Sequence, residues 1–246
     1  MFCLQNNTEK MEDGNVLVWL SLKTTHKDWK PFFEISYIQD MLRNIEKHIK
    51  RDDMCPHAKD IFRVFSLISP NDIKVVILGM DPYQSRVNGK NRANGLAFSS
   101  DLDDIPRSLR NIYKEMMRCG YTPPKDAKLD YLVKRGVFLV NSALTVKYNE
   151  SGSHSKLWIG FTIELLKWIA SNSRKNNKEC CFVFWGRNAQ GVGADSKLTE
   201  IDENVFIAPH PVSRSKNSSF SGCNHFNLIN DYLKSKDVEP VDWNSP

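Results

Sequence analysis

Residues 76–85 read VILGMDPYQS, an apolar run that ends by presenting an acid. The run stops at Gly79, and Asp81 follows two residues later, held by Pro82. A carboxylate so placed can orient water or stabilise a developing cation. Three more apolar runs close on special residues: 137–140 on Asn141, 181–185 on Gly186, and 204–208 on Pro209-His210. An Asn side chain offers both a donor and an acceptor, so it can read one edge of a base or amide. An imidazole can stabilise a developing anion. Tyr83 and Phe98 could stack on something flat. Ser108, Ser213, Ser215, Ser218 and Ser219 supply hydroxyls, which together with backbone N–H groups grip phosphate. A flat heterocycle on a phosphate backbone fits this inventory. Each piece alone has a plainer reading: Asp-Pro-Tyr as a turn, His-Pro as loop structure, Asn as a strand-end cap, Phe98 as core. The functional reading rests on their recurrence at four successive strand ends.

The elements that must position these residues follow from hydrophobic spacing. Ile35, Ile38, Leu42, Ile45 and Ile49 recur at three and four residues, which predicts an amphipathic helix over 34–50. A second, short helix is expected over 57–67, and others over 108–118, 157–173, about 189–198 and 225–233. The four apolar runs alternate with helices, which implies a parallel sheet with right-handed crossovers. Their uniform apolarity suits strands covered on both faces. The expected fold is therefore α/β, a single domain with a central four-stranded parallel sheet flanked by helices. Ligands of such sheets bind outside the carboxyl ends of the strands, so Asp81, Asn141, Gly186 and His210 should rim one crevice. Residues 1–28 are polar and irregular and read as an N-terminal extension, partly disordered or a loose cap; the domain proper is expected over 29–246.

Bulk properties agree. The chain has 246 residues, which suits one α/β domain, and 41% are hydrophobic, enough for a full core. No stretch approaches the roughly 18 apolar residues of a membrane span. Val16–Leu20 is too short for one and does not resemble a signal peptide. A soluble, intracellular protein is expected, in cytoplasm or nucleus. The six cysteines include no Cys-x-x-Cys pair, so reduced, mostly buried thiols are expected, with no disulfide frame and no zinc site. The formal charge of +5 is only mildly basic and weakly favours a nucleic-acid partner.

In this order the motifs resemble those of family 1 uracil-DNA glycosylases. Residues 75–83 (VVILGMDPY) are similar to the family's water-activating motif, and 95–99 (GLAFS) to its uracil-stacking segment. Residues 105–115 (IPRSLRNIYKE) resemble the proline-rich loop and the helix after it, and 136–146 (GVFLVNSALTV) the uracil-recognition strand. Ser153-His154 and Trp158 continue that match. Trp185-Gly186 with Ala189-Gln190 resembles the Gly-Ser loop region, 210–226 the minor-groove intercalation loop, and 240–243 the family's ending.

The resemblance implies hydrolysis of the bond between uracil and deoxyribose in DNA, after the nucleotide is flipped out of the helix. It implies Asp81 as the residue that orients water and His210 as a neutral donor to uracil O2. Asn141 would bond uracil N3–H and O4, Tyr83 would exclude thymine's methyl, Phe98 would stack on the base, and the backbone near Met80 would also hold it. Gln84, Pro106, Ser108, Gly186, Arg187, Ser213, Arg214 and Ser215 would meet DNA. No cofactor or metal is implied. The expected partners are uracil-containing DNA, single- or double-stranded, and proteinaceous inhibitors that mimic DNA; a monomer is expected. The departures cluster on the DNA side. Met80 and Gln84 replace a Gln and a His, the 84–94 loop is longer than usual, Arg187 replaces a Ser, and Arg214 stands where most members have a Leu wedge. These changes favour an alternative, a DNA-binding or polymerase-partner protein on the same fold with weak or lost activity. The joint retention of Asp81, Tyr83, Phe98, Asn141 and His210 favours the enzyme.

Overall fold

The computed structural model describes residues 16–198, 202, 204–213 and 219–246. Helices α1 (Val16–Lys23), α2 (Lys30–Phe33) and α3 (Ser36–Glu46) come first among the described residues. The boundary expected at residue 29 falls inside this packed layer. Leu17, Val18 and Leu20 are buried, and the Leu17 N–H donates to Glu46 Oε2 at 3.0 Å. An apolar stretch without a polar face gave no helical signal, yet it closes one side of the core. The helix expected over 57–67 is broken. A 3-10 turn, Ala58–Asp60, is capped by the His57 ring, and Phe62 leaves the helical region at φ −103°, ψ 21° before α4 (Arg63–Leu67).

The strands lie as expected. After the short β1 (Met54–Cys55) comes β2 (Val75–Gly79), whose residues are all buried. A hairpin follows, β3 (Arg86–Val87) and β4 (Lys90–Asn91), then α5 (Arg107–Arg118) and α6 (Asp130–Val133). Strand β5 (Val137–Asn141) leads through β6 (Val146–Lys147) into the long α7 (Ser155–Lys175). The chain ends with β7 (Cys181–Trp185), α8 (Arg187–Asp195), β8 (Val205–Ala208) and α9 (His225–Ser235). The central sheet runs β5-β2-β7-β8, all parallel. Helix α8 starts two residues before the expected 189 and stops at Asp195, because Lys197 turns left-handed at φ 61°.

Register brings the strand tips together: Gly79 pairs with Asn141, and Trp185 with Ala208. Trp29, Phe32, Phe33, Phe65, Phe138 and Phe161 form one contiguous aromatic cluster, with Trp29 and Phe138 centroids 5.3 Å apart. Each such ring contributes about 1.5–3 kcal/mol by leaving water. Trp243, in the closing segment, is fully buried, and the Val241 N–H donates to Asn230 Oδ1 at 2.9 Å. Among the described residues, no helix is long and apolar enough to cross a membrane.

Candidate active site

Two close approaches set the rim. A Cβ at Gly79 would fall 2.2 Å from Asn141 Oδ1, so only glycine lets the Asn141 amide lie across the tip of β2. At Gly186 the backbone takes φ 97°, and a Cβ would stand 2.8 Å from His210 Cβ. The turn after β2 is tied to the end of β5. The Ser142 N–H donates to Gly79 O at 2.9 Å, and the Ala143 N–H to Met80 O at 3.0 Å. These bonds fix where residues 80–83 point.

A cleft of about 700 Å³ opens at the carboxyl end of the sheet, a size typical of small-ligand sites. Met80, Asp81, Tyr83, Gln84, Phe98, Pro106, Ser108, Asn141 and His210 all line it. Asp81 Oδ2 accepts from the Gly152 N–H at 2.6 Å and Ser151 Oγ at 2.9 Å. Oδ1 makes no hydrogen bond to a described residue and is left for a ligand or water. The Asn141 amide is buried and likewise has no protein partner among the described residues. Tyr83 donates its hydroxyl to Phe98 O at 3.0 Å and shares a 2.8 Å bond with Ser108 Oγ; burial pushes its pKa up to about 12, so it stays neutral.

His210 is held on three sides. Its carbonyl accepts from the Ser213 N–H at 2.7 Å, and Asn111 Nδ2 donates to the next carbonyl, Pro211 O, at 2.7 Å. Its Nδ1 accepts from the Val212 N–H at 3.3 Å, which leaves the proton of the neutral ring on Nε2. Burial lowers the pKa below the usual imidazole value, with the Asp81 carboxylate opposing in part. The ring of Phe98, whose backbone sits at φ 64°, lies 6.3 Å from the His210 ring and 5.7 Å from Trp185. Trp185, which the sequence offers only as part of the Gly-Ser loop match, is buried; it backs Phe98 and donates to His225 Nδ1 at 3.0 Å.

Three other expected residues lie away from this wall. Gly186 is buried behind His210, Arg187 is exposed at the start of α8, and Ser213 is exposed beyond Val212. Gln84 lines the cleft, yet its Oε1 is buried with no partner among the described residues. Arg214 and Ser215 fall outside the described residues. The cleft also has residues to which no role attached in the sequence: Ser151, Arg92, Asp104, Arg107 and Arg110. Ser151 follows no motif, because its part depends on a turn meeting Asp81 across 70 residues.

A carboxylate, a free amide and a neutral imidazole around an aromatic platform, on a parallel α/β sheet, suit this cleft to hold a flat polar heterocycle. The family model of the uracil DNA glycosylase superfamily matches residues 65–234. The uracil-DNA glycosylase of Escherichia fergusonii is 35% identical over 234 residues, covering 94% of this chain and 96% of that protein. The crystal structure of mimivirus uracil-DNA glycosylase superposes with a TM-score of 0.77 at 28% identity, covering 94% of this chain and 91% of that one. A Y322L variant of the mimivirus protein, with the same TM-score and identity, was solved in complex with UGI and is covered to 92%. The chain belongs to the uracil-DNA glycosylase superfamily.

Proposed function

We propose that this protein is a uracil-DNA glycosylase that initiates base-excision repair, with Asp81, Asn141 and His210 as its working groups. The nucleotide is swung out of the stack, because its glycosidic bond is inaccessible within it. Asp81, anchored through Oδ2, uses Oδ1 to orient the attacking water and to stabilise the cationic sugar. The bond from C1′ to N1 breaks with its electron pair passing to the base. His210 donates from Nε2 to O2 as negative charge builds there; a neutral donor suffices, and its lowered pKa keeps the ring neutral near pH 7. Water adds to C1′, and its proton leaves through Asp81.

Selectivity follows from the pocket walls. Asn141 complements uracil N3–H and O4, while cytosine would leave buried polar groups unpaired. Tyr83 is fixed by two hydrogen bonds of its hydroxyl and stands where a C5 methyl would go. Phe98 stacks on the base, worth about 1–3 kcal/mol. Pro106 and Ser108 meet the strand beside the flipped nucleotide, and Gly186, Arg187 and Ser213 meet it on the His210 side; Arg214 and Ser215 are assigned DNA contacts from the sequence resemblance alone. The same face would take a protein inhibitor of the UGI kind.

The observation that carries the reading is the Asn141 amide, without a partner among the described residues, sharing one cleft with Asp81 and His210. A binding module has no need of that set. The test is to incubate the protein with oligonucleotides carrying a single uracil, thymine or cytosine and to score abasic sites. Cleavable sites should form at uracil alone; none at uracil would refute the reading.

A further inference from the structure

The lip of the cleft carries three arginines for which the chemistry above has no use. Arg92 leaves the base of the β3–β4 hairpin, and Arg107 and Arg110 belong to the first turns of α5; all three line the cleft. Arg107 and Arg110 are exposed, and their side chains have no ion pair or hydrogen bond among the described residues. Arg92 is fixed. Its Nε donates to Ser85 Oγ at 3.2 Å, and its Nη1 lies 2.8 Å from both carboxylate oxygens of Asp104. Arg92 and Arg110 both hold the Asp104 carboxyl below its ordinary range, which puts the three groups in one field. Two guanidinium groups therefore act on one carboxylate, which is largely exposed, and Arg107 lines the same lip.

The hairpin explains why Arg92 points inward. Asn88 and Gly89 both take positive φ, 50° and 75°, the tight turn that suits a two-residue hairpin. Arg86 is consumed in holding the hairpin down. It donates to Asn91 Oδ1 at 2.7 Å and Met54 O at 3.0 Å, and its guanidinium lies 4.9 Å from the Tyr148 ring centre. Guanidinium forks match phosphate oxygens in a bidentate manner, and Arg107 and Arg110 flank Ser108 at the cleft edge.

We propose that Arg92, Arg107 and Arg110 form a subsite for a backbone phosphodiester of the DNA strand beside the flipped nucleotide, with Asp104 as the counterion that the phosphate displaces. This rests on the reading of DNA as substrate, but it is tested without the chemistry. The affinity for a short, uracil-free duplex is measured against salt concentration for the parent, R107A/R110A, and R174A/K175A. The last pair lies at the far end of α7 and removes the same charge. Each neutralised phosphate contributes about 0.9 to the slope of log affinity on log salt, so R107A/R110A, which unbinds one phosphodiester, should lose up to about 0.9 while the control loses little. A loss in R107A/R110A no larger than in the control overturns the subsite. D104N should bind several-fold more tightly at low salt; equal or weaker binding overturns the counterion role. A parent that binds with these slopes yet releases no uracil would refute the glycosylase reading and leave the subsite standing.

Discussion

A methyl group at residue 79 would lie 2.2 Å from Asn141 Oδ1, on the parallel, fully buried β5, and 3.2 Å from Ala97 Cβ, in a buried turn. The β5 backbone cannot retreat, so the Asn141 amide must turn away from the cleft. G79A is expected to keep the fold and lose about 100-fold in kcat/KM on a uracil oligonucleotide, the usual size of a misplacement near 1 Å. Unchanged kcat/KM would show that the Asn141 placement is not needed. The functional side chains themselves were legible, because each closes a run of apolar residues. Their partners were not. That Phe98 adopts positive φ, that Trp185 backs it, and that Gly152 and Ser151 hold Asp81 all depend on segments remote in sequence.

Helix α5 is the element that joins the two halves of the site. Its first turns supply the arginine lip, Asn111 holds the chain just after His210, and Glu115, almost fully buried, accepts from the Gly222 N–H at 2.7 Å and the Asn224 N–H at 2.9 Å. Asn111 and Glu115 thus clamp both ends of the segment that follows β8. E115A should cost about 1–3 kcal/mol in urea unfolding, the cost of stranding such donors, and should raise KM for DNA more than it lowers kcat. No change in either would contradict the clamp. The main strands were readable to within a residue at each end because their runs are uniformly apolar. The β3–β4 hairpin was not, although Asn88-Gly89 marks its turn, since two-residue polar strands carry no alternation. Helix α1 was missed for the opposite reason: its apolar residues fall on every face, with only Ser21 and Lys23 polar.

At the scale of the molecule, three imidazoles, two buried and one (His210) half-buried, set the acid limit. Burial lowers His210 and His154, and lowers His225 furthest, to about 4. His225 Nδ1 also accepts from Trp185, a bond lost on protonation there. These rings stay neutral in the fold after an unfolded imidazole, near 6.5, has taken its proton. The unfolded chain binds more protons in that window, so stability is full above about pH 6.5 and falls as pH drops toward 4, with His225 alone contributing about 3 kcal/mol. Urea unfolding at pH 7, 5.5 and 4.5 should show that decline; a flat or rising trend would contradict it. The fold class was evident from the alternation of strands and helices, while the coupling of His225, Trp185 and Phe98 emerges only from packing. The central claim, that Asp81 drives hydrolysis of the glycosidic bond, is tested most directly by single-turnover release of free uracil from a uracil oligonucleotide by the parent and by D81N. The parent should release uracil and D81N should be slower by about 10²–10⁴; a parent without activity, or a D81N as fast as the parent, would contradict it.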